Sequence, residues 1–127
     1  MARVPYNILI VDDNAFIRRS LRACIEQNTD LWVCGEAENG ATAVEKVKEL
    51  KPDIVILDLQ MPVMNGLEAA RQIKLIAPRT LMIMITMHYG TQLLKDAREA
   101  GVSDVLPKSG GVTARLTALL QDFGTRP

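Results

Sequence analysis

The chain has 127 residues, of which 48% are hydrophobic and 24% charged, and this composition excludes a disordered or fibrous protein. The length predicts one globular domain over residues 1–127, with its core at about 6–123. Its 15 basic and 15 acidic residues cancel, so no overall field holds the chain on nucleic acid or on an anionic membrane. The longest apolar run is far shorter than the ~20 residues that span a bilayer, and we therefore expect a cytoplasmic protein that binds neither DNA nor membrane.

Five apolar runs predict β-strands, and five segments that predict helices follow them. In chain order the strand runs are 8–11, 31–37, 54–57, 81–85 and 104–106. The first, third and fourth runs are continuous stretches of Ile, Val, Leu and Met, which suit strands buried on both faces of a parallel sheet. The second run is more polar and predicts an exposed strand, and the fifth run is short.

Each helical segment repeats apolar residues at steps of three or four, which predicts a helix with one buried stripe. In chain order these segments are 17–25, 43–50, 67–77, 93–100 and 112–123. Strand and helix thus alternate five times, which predicts an α/β fold, a doubly wound parallel sheet of (βα)5 type with helices on both faces. The flavodoxin-like strand order 2-1-3-4-5 is one common solution, and it is the order that we predict.

Polar residues follow the predicted strands at the edge of the sheet where α/β proteins bind their ligands. Asp12 and Asp13 follow the first run, and Asp58 follows the third. Thr86 ends the fourth strand, and Lys108 follows the fifth. Neighbouring parallel strands lie only ~4.8 Å apart, so three carboxylates crowd one edge and need a cation. Hard oxygen ligands with room for water favour Mg²⁺, with Mn²⁺ as an alternative.

Each of these residues also has an ordinary structural explanation. Asp13 or Asn14 can cap the following helix. Thr86 is a common strand residue, and a surface lysine such as Lys108 is usually solvated. Together the residues favour a site, because clustered carboxylates without a partner repel one another. An Asp held against Mg²⁺ is a competent nucleophile towards phosphorus, and the product at Asp58 would be an aspartyl phosphate.

The stretches around these residues resemble the response regulator receiver family of two-component signalling. The resemblance is carried by residues 8–13, by residues 58–66 with the sequence Asp-Leu-Gln-Met-Pro-Val-Met-Asn-Gly, by Ile85 and Thr86, and by Lys108. It extends from Tyr6 to Phe123, which is nearly the whole chain. Residues 58–66 are the most specific part, because they join the acceptor to a Met-Pro turn and to a glycine where the chain bends into a helix.

The resemblance implies that Asp58 takes a phosphoryl group from a sensor histidine kinase or a phosphotransfer protein, and that the domain then switches conformation to control an output. It implies that Mg²⁺ is held by Asp12, Asp13, Asp58 and the backbone carbonyl of Gln60. Thr86 and Lys108 would read out the phosphoryl group. Such a domain is not expected to be an enzyme. The family commonly signals, or forms a homodimer, through the surface of the fourth helix, fifth strand and fifth helix, here about residues 91–123, and the sequence does not choose the face.

Residues 36–40 and 101–103 are most similar to receivers that carry a C-terminal helix-turn-helix DNA-binding domain. This similarity implies transcription regulation as the output, with the DNA contact outside the chain. The chain is then either a stand-alone receiver or the N-terminal domain of such a regulator, and we favour the second.

Two departures from the family's pattern bear on phosphorylation and its readout. Val105 lies three positions before Lys108, where receivers usually carry an aromatic residue whose rotamer couples to phosphorylation. Met87 follows Thr86, where a small residue is usual, and its bulk predicts slow phosphoryl exchange at Asp58.

Three other functions fit parts of the sequence. A degenerate receiver that acts as a phosphorylation-independent interaction scaffold would explain Val105 and Met87. A phosphatase with an aspartate nucleophile shares the acceptor and metal chemistry, but Gln60 stands where its second acid would lie. A flavodoxin-like domain that binds a flavin or a nucleotide is disfavoured, because no Gly-rich loop follows the first strand.

Overall fold

The computed structural model describes residues 6–125, in which five strands alternate with five helices. The strands are β1 (Asn7–Val11), β2 (Trp32–Ala37), β3 (Ile54–Asp58), β4 (Leu81–Thr86) and β5 (Asp104–Pro107). The helices are α1 (Ala15–Asn28), α2 (Gly40–Leu50), α3 (Gly66–Ile76), α4 (Thr91–Glu99) and α5 (Val112–Thr125). All strand pairs are parallel and follow the order β2-β1-β3-β4-β5, which confirms the predicted flavodoxin-like α/β fold. One domain over the whole of 1–127 stays a prediction, since both ends lie outside the described residues.

The central strands β1, β3 and β4 are buried on both faces, as their continuous apolar runs predict. Successive side chains of a strand point to opposite faces of the sheet. Leu9 and Val11 of β1 therefore pack into one core with residues of α2, α3 and α4, while Ile8 and Ile10 pack into a second core with residues of α1 and α5. The carboxyl ends of the central strands are thus held between two cores.

The edge strand β2 is the more exposed strand that the sequence predicts, with Trp32 54% exposed at its start. Its pairing with β1 skips Cys34, so the strand carries a β-bulge there. Beyond the bulge, Glu36 and Ala37 pair with the last two residues of β1. The bulge therefore decides which residues of β2 lie beside the end of β1.

Helices α1, α2 and α3 each follow an asparagine whose side chain accepts one of the free backbone amides of the first turn. The Asn14 side chain accepts the Ile17 amide at 3.1 Å, and Asn39 and Asn65 make the same bond at the start of the next two helices. The cap of α1 is therefore Asn14, and Asp13 beside it remains exposed. Within residues 6–125, no helix is long and apolar enough to cross a membrane.

Candidate functional site

The three acidic residues of the predicted site lie together at the carboxyl edge of the sheet. Asp12 follows β1 and Asp58 ends β3, and these two residues are only 3% and 8% exposed. Asp13 lies exposed beside them. One carboxylate oxygen from each residue lies within 4.8 Å of the other two. The crowding that we predicted from the strand ends is therefore present.

Lys108, which follows β5, reaches across the sheet edge to two of these carboxylates. Its Nζ donates to Asp12 Oδ2 at 2.7 Å and to Asp58 Oδ2 at 3.3 Å. Its backbone amide donates to the carbonyl of Thr86 at 2.7 Å, which ties the loop after β5 to the end of β4. The side chain is only 15% exposed, so the alternative of an ordinary solvated lysine is wrong.

The charges of this cluster are unbalanced, since three carboxylates share one ammonium. Burial raises the pKa of Asp58 above its usual value, while the Lys108 ammonium lowers it and the Asp12 carboxylate raises it further. Burial lowers the pKa of Lys108, but its hydrogen bonds and charge interactions with Asp12 and Asp58 together outweigh burial and raise that pKa overall. A further cation beside Asp58 would offset the burial and repulsion that raise its pKa.

The donor set fits a small, hard divalent cation. The three Asp residues offer oxygen atoms, which Mg²⁺ and Mn²⁺ prefer as ligands. Asp12 Oδ1 accepts the Asn14 amide at 2.9 Å. Asp58 Oδ1 accepts the Leu59 amide at 2.8 Å, so both carboxylates are already oriented. Gln60 is exposed two positions after Asp58, and the role of its backbone carbonyl as a further ligand stays a prediction.

Adding Mg²⁺ is expected to raise the thermal unfolding midpoint of the metal-free protein. A cation that binds only the folded chain stabilises it by about 2.7 kcal/mol at 100 times its Kd, or roughly 10 °C for a domain of this size. Thermal unfolding with Mg²⁺ and with EDTA measures the gain. Asp12→Asn should lose most of it, and Asp30→Asn, an exposed residue between α1 and β2, is the control. Equal gains in both variants would contradict the site.

Thr86, the last residue of β4, is completely buried. It follows Ile85, which pairs with Asp58, so Thr86 lies one position beyond Asp58 on the neighbouring strand. Its Oγ1 accepts the His88 amide at 2.9 Å. Because that bond uses only a lone pair, the hydroxyl hydrogen can still be donated to a phosphoryl oxygen. The geometry is compatible with the predicted role of Thr86, which itself stays a prediction.

Gly66 ties the loop from β3 to α3 to the end of β3. The Gly66 amide donates to the Leu59 carbonyl at 2.7 Å, and a Cβ at this position would collide with the backbone carbonyl of Asp58. Only glycine permits so close an approach. Further along the loop, the Met64 carbonyl accepts the amide of Gly40 at 2.9 Å. The loop after Asp58 is thus fixed at two points.

Val63, at the tip of this loop, has a φ of +69°, which β-branched residues avoid. The Met64 amide donates to the Pro62 carbonyl at 2.7 Å and closes a tight turn around it. Val63→Asn is expected to raise the free energy of unfolding by about 1 kcal/mol, because Asn tolerates positive φ and Val63 buries little surface. Urea denaturation measures this gain. Val63→Ile keeps the branched Cβ and should show no gain; a similar gain from it would mean that backbone strain is not the cause.

The two departures from the family's pattern have different surroundings. Met87 is 71% exposed at the start of the loop after β4, so its side chain extends into solvent. Slow phosphoryl exchange caused by Met87 stays a prediction. Val105 in β5 is partly buried and packs against the core shared by α2, α3 and α4. It contributes packing there but offers no aromatic ring that could change rotamer.

Arg18 and Glu36 border the site and were not predicted from the sequence. Arg18, in the first turn of α1, donates to the Asp12 carbonyl at 2.7 Å and to Glu36 at 3.0 Å. Two signals for them were available: a charged residue inside the predicted strand 31–37, and an arginine next to the apolar stripe of the first helix.

Comparison with known proteins agrees with this geometry. Residues 8–121 match the family model of the response regulator receiver domain. A protein-glutamate methylesterase/protein-glutamine glutaminase of Idiomarina loihiensis is 42% identical over 102 residues, which are 80% of this chain and 26% of that protein. The response regulator domain of Thermotoga maritima CheB has a TM-score of 0.83 at 32% identity, covering 98% of this chain and 100% of that one. A two-component response regulator of the LuxR family from Aurantimonas sp. has a TM-score of 0.87 at 32% identity, covering 94% of this chain and 85% of that one.

The name of these curated relatives corrects one prediction. It is the name of an enzyme, which contradicts the expectation that the protein is not an enzyme. The chain spans about a quarter of the length of these relatives, 26% in Idiomarina loihiensis and 27% in Aliivibrio fischeri. The prediction failed because it was made from the residues of this chain alone, whereas the name describes relatives that are much longer than this chain.

Proposed function

This chain belongs to the response regulator receiver family, and from that membership we propose that Asp58 is its phosphoacceptor. The phosphodonor is a phosphorylated histidine of a sensor kinase or of a phosphotransfer protein. The transfer requires Mg²⁺, held by Asp12, Asp13, Asp58 and the backbone carbonyl of Gln60. The phosphoryl group then switches the conformation of the domain and so controls an output.

One observation carries this proposal. Carboxylate oxygens of Asp12, Asp13 and Asp58 converge within 4.8 Å, and the ammonium of Lys108 contacts two of these residues. Such a cluster is unfavourable in an apo protein, because burial and repulsion raise the pKa of Asp58. It is suited to a divalent cation and an incoming phosphoryl group, whose charges balance one another.

The transfer uses the Asp58 carboxylate as the nucleophile. One of its oxygens forms a bond to phosphorus while the bond from phosphorus to the donor's imidazole nitrogen breaks, and the electron pair of that bond stays on the nitrogen. The Leu59 amide, 2.8 Å from Oδ1, keeps the carboxylate oriented during the transfer. Bound Mg²⁺ supplies positive charge that offsets the charge of the transferring group.

Lys108 and Thr86 convert the new charge into a conformational change. Lys108 Nζ lies closer to Asp12, at 2.7 Å, than to Asp58, at 3.3 Å. Phosphorylation adds negative charge and acceptor oxygens on the Asp58 side, which shifts the ammonium towards it. The Thr86 hydroxyl donates to another phosphoryl oxygen. Both movements draw the ends of β4 and β5 towards β3.

Incubation of the chain with Mg²⁺ and acetyl phosphate tests this function. Intact mass spectrometry should show an increase by one phosphoryl group, in an adduct that is stable to acid, labile to base and absent when EDTA is added. Release of phosphate without accumulation of an adduct would favour the phosphatase alternative. No adduct on a chain that binds Mg²⁺ would favour the interaction scaffold.

The names of the relatives indicate which activity this domain controls in our proposal. They favour control of a protein-glutamate methylesterase or glutaminase activity over transcription regulation, because curated relatives of 42% and 44% identity carry that name. The C-terminal helix-turn-helix domain implied by residues 36–40 and 101–103 is therefore the second candidate. A homodimer through α4, β5 and α5 rests on the family resemblance alone, and a cytoplasmic location rests on the shortness of the apolar runs.

A further inference from the structure

The backbone of Asp12 is held more tightly than its role as a carboxylate ligand alone requires. Its amide donates to the Ala37 carbonyl of β2 at 3.0 Å. Its own carbonyl accepts Nη1 of Arg18 at 2.7 Å. The carboxylate oxygens accept the Asn14 amide and the Lys108 ammonium. The partner of the Asp12 carbonyl is therefore the charged side chain of Arg18.

Arg18 is itself held in place by Glu36 of β2. The Arg18 Nε donates to Glu36 Oε1 at 3.0 Å, and its side chain is only 18% exposed. Glu36 Oε2 accepts Nε of Arg22 at 2.9 Å, and the Glu36 carbonyl accepts the ammonium of Lys46 from α2. A planar guanidinium bonded at two positions has little freedom to turn. Arg18 therefore links the end of β1 rigidly to β2.

The bond from Arg18 acts on the peptide unit that joins Asp12 to Asp13. A peptide unit is planar, so fixing its oxygen and the Cα of Asp12 also fixes the Cα of Asp13. Asp13 needs this support, because its carboxylate is exposed and no hydrogen bond or ion pair within residues 6–125 orients it. The hydrogen bond to the Asp12 carbonyl thus fixes the position of the Asp13 Cα relative to the acidic cluster.

We propose that Arg18 is a positioning residue of the metal site: it orients the Asp12–Asp13 peptide through the Asp12 carbonyl, so that Mg²⁺ affinity depends on a side chain that does not bind the ion. This inference rests on the proposed function, because it takes Asp12 and Asp13 as ligands. Residues outside the ligand shell that orient ligands typically contribute 10–100-fold to metal affinity. We expect about a tenfold contribution here, since Arg18 acts through one backbone bond.

Arg22 provides the matched control. It lies one turn after Arg18 on α1 and binds the other oxygen of Glu36. Arg22→Met therefore removes an ion pair to Glu36 from the same helix without removing the bond to Asp12. Arg18→Met removes the ion pair and the carbonyl bond together. Both variants are expected to lower the urea midpoint, whereas only Arg18→Met should weaken Mg²⁺ binding.

Isothermal titration of the metal-free chain with Mg²⁺ tests this inference. The expected result is a Kd about tenfold higher for Arg18→Met and changed by less than about twofold for Arg22→Met. In the acetyl phosphate reaction, Arg18→Met should need more Mg²⁺ for half-maximal adduct formation but reach the wild-type rate at saturation. An unchanged Kd for Arg18→Met, or an equal loss in both variants, would overturn the inference.

A second variant covers the case in which Arg18→Met does not fold. Arg18→Lys keeps the charge but has no fork to bond the carbonyl and Glu36 together, so its Mg²⁺ affinity should also fall. Wild-type affinity in Arg18→Lys would overturn the inference. Failure of the proposed function gives a different result: the wild-type chain would then bind no Mg²⁺ or form no adduct. If the wild type binds Mg²⁺ and forms the adduct while the Arg18 variants match it, only the positioning role fails.

Discussion

Asp58→Asn is expected to abolish the phosphoryl adduct formed with acetyl phosphate and Mg²⁺, to below detection. The asparagine amide matches the carboxylate in size and can still accept the Leu59 amide, but its uncharged oxygen is a poor nucleophile towards phosphorus. Intact mass spectrometry measures the loss. Asp30→Asn makes the same chemical change on an exposed residue outside the cluster and should leave the adduct unchanged. An adduct that persists in Asp58→Asn would mean that another residue is the acceptor.

The same substitution is expected to stabilise the metal-free protein. Burial raises the pKa of Asp58 in the folded state, so the protonated carboxyl favours folding and the ionised one opposes it. That favourable contribution is present below the usual pKa of Asp, about 4, and is lost as the pH rises through the raised pKa of the folded state. Asp58→Asn should therefore raise the urea midpoint at pH 7, and the gain should shrink as the pH falls to about 4.

If Asp58→Asn loses the adduct but gains stability, this result distinguishes between two explanations of why Asp58 lies in the cluster. If Asp58 served mainly to hold Lys108 in place, its replacement would lower the midpoint at pH 7. If it is held in a charged, partly repelled state for catalysis, the midpoint rises. Urea denaturation in EDTA at both pH values distinguishes the two, with Asp30→Asn again as the control.

Gly66→Ala is expected to lower the free energy of unfolding by about 3 kcal/mol, the largest stability loss that we predict. The added Cβ would collide with the Asp58 carbonyl and lie 3.0 Å from the Cα of Leu59. Both are backbone atoms at the end of a buried strand, so no side-chain rotation relieves the contact. The loop must move away from β3, and the Leu59 amide that orients Asp58 moves with it. Adduct formation should therefore slow as well.

Gly110→Ala is the matched control for this prediction. Gly110 lies in the loop before α5, and a Cβ there would meet no atom within 4 Å. Its unfolding free energy should change by less than about 0.5 kcal/mol, as at other open surface positions. If Gly66→Ala were as stable as Gly110→Ala, the loop after the acceptor would be less tightly packed against β3 than the structure indicates.

The sequence was sufficient for the fold and for the acidic cluster because both follow from strong local patterns. Continuous apolar runs specify strands buried on both faces, and parallel strands bring their carboxyl ends to one edge. Asp12, Asp13 and Asp58 therefore had to meet once β1 and β3 were neighbours. The strand order was predicted as one common solution for a doubly wound sheet, since periodicity does not determine which strands pair.

The interactions around the cluster could not be predicted in the same way. Arg18 bonds the Asp12 carbonyl from the first turn of α1 and also bonds Glu36, whose register beside β1 depends on the bulge in β2. Such a shift in register leaves no periodic signal. Gly66 was expected at a bend, but its contact with the Asp58 carbonyl depends on the path of the whole loop. The enzyme name that overturned the expectation of a non-enzymatic protein belongs to relatives of which this chain spans about a quarter, so no residue of the chain could have indicated it.

Reduction of the phosphorylated protein with borohydride tests the central claim most directly, because it converts an aspartyl phosphate to homoserine and so marks the acceptor. Tandem mass spectrometry of the digested protein then identifies the marked position. Homoserine is expected at position 58 alone. Homoserine at Asp12 or Asp13, or its absence from protein whose intact mass includes the phosphoryl group, would contradict the assignment of Asp58 as the acceptor.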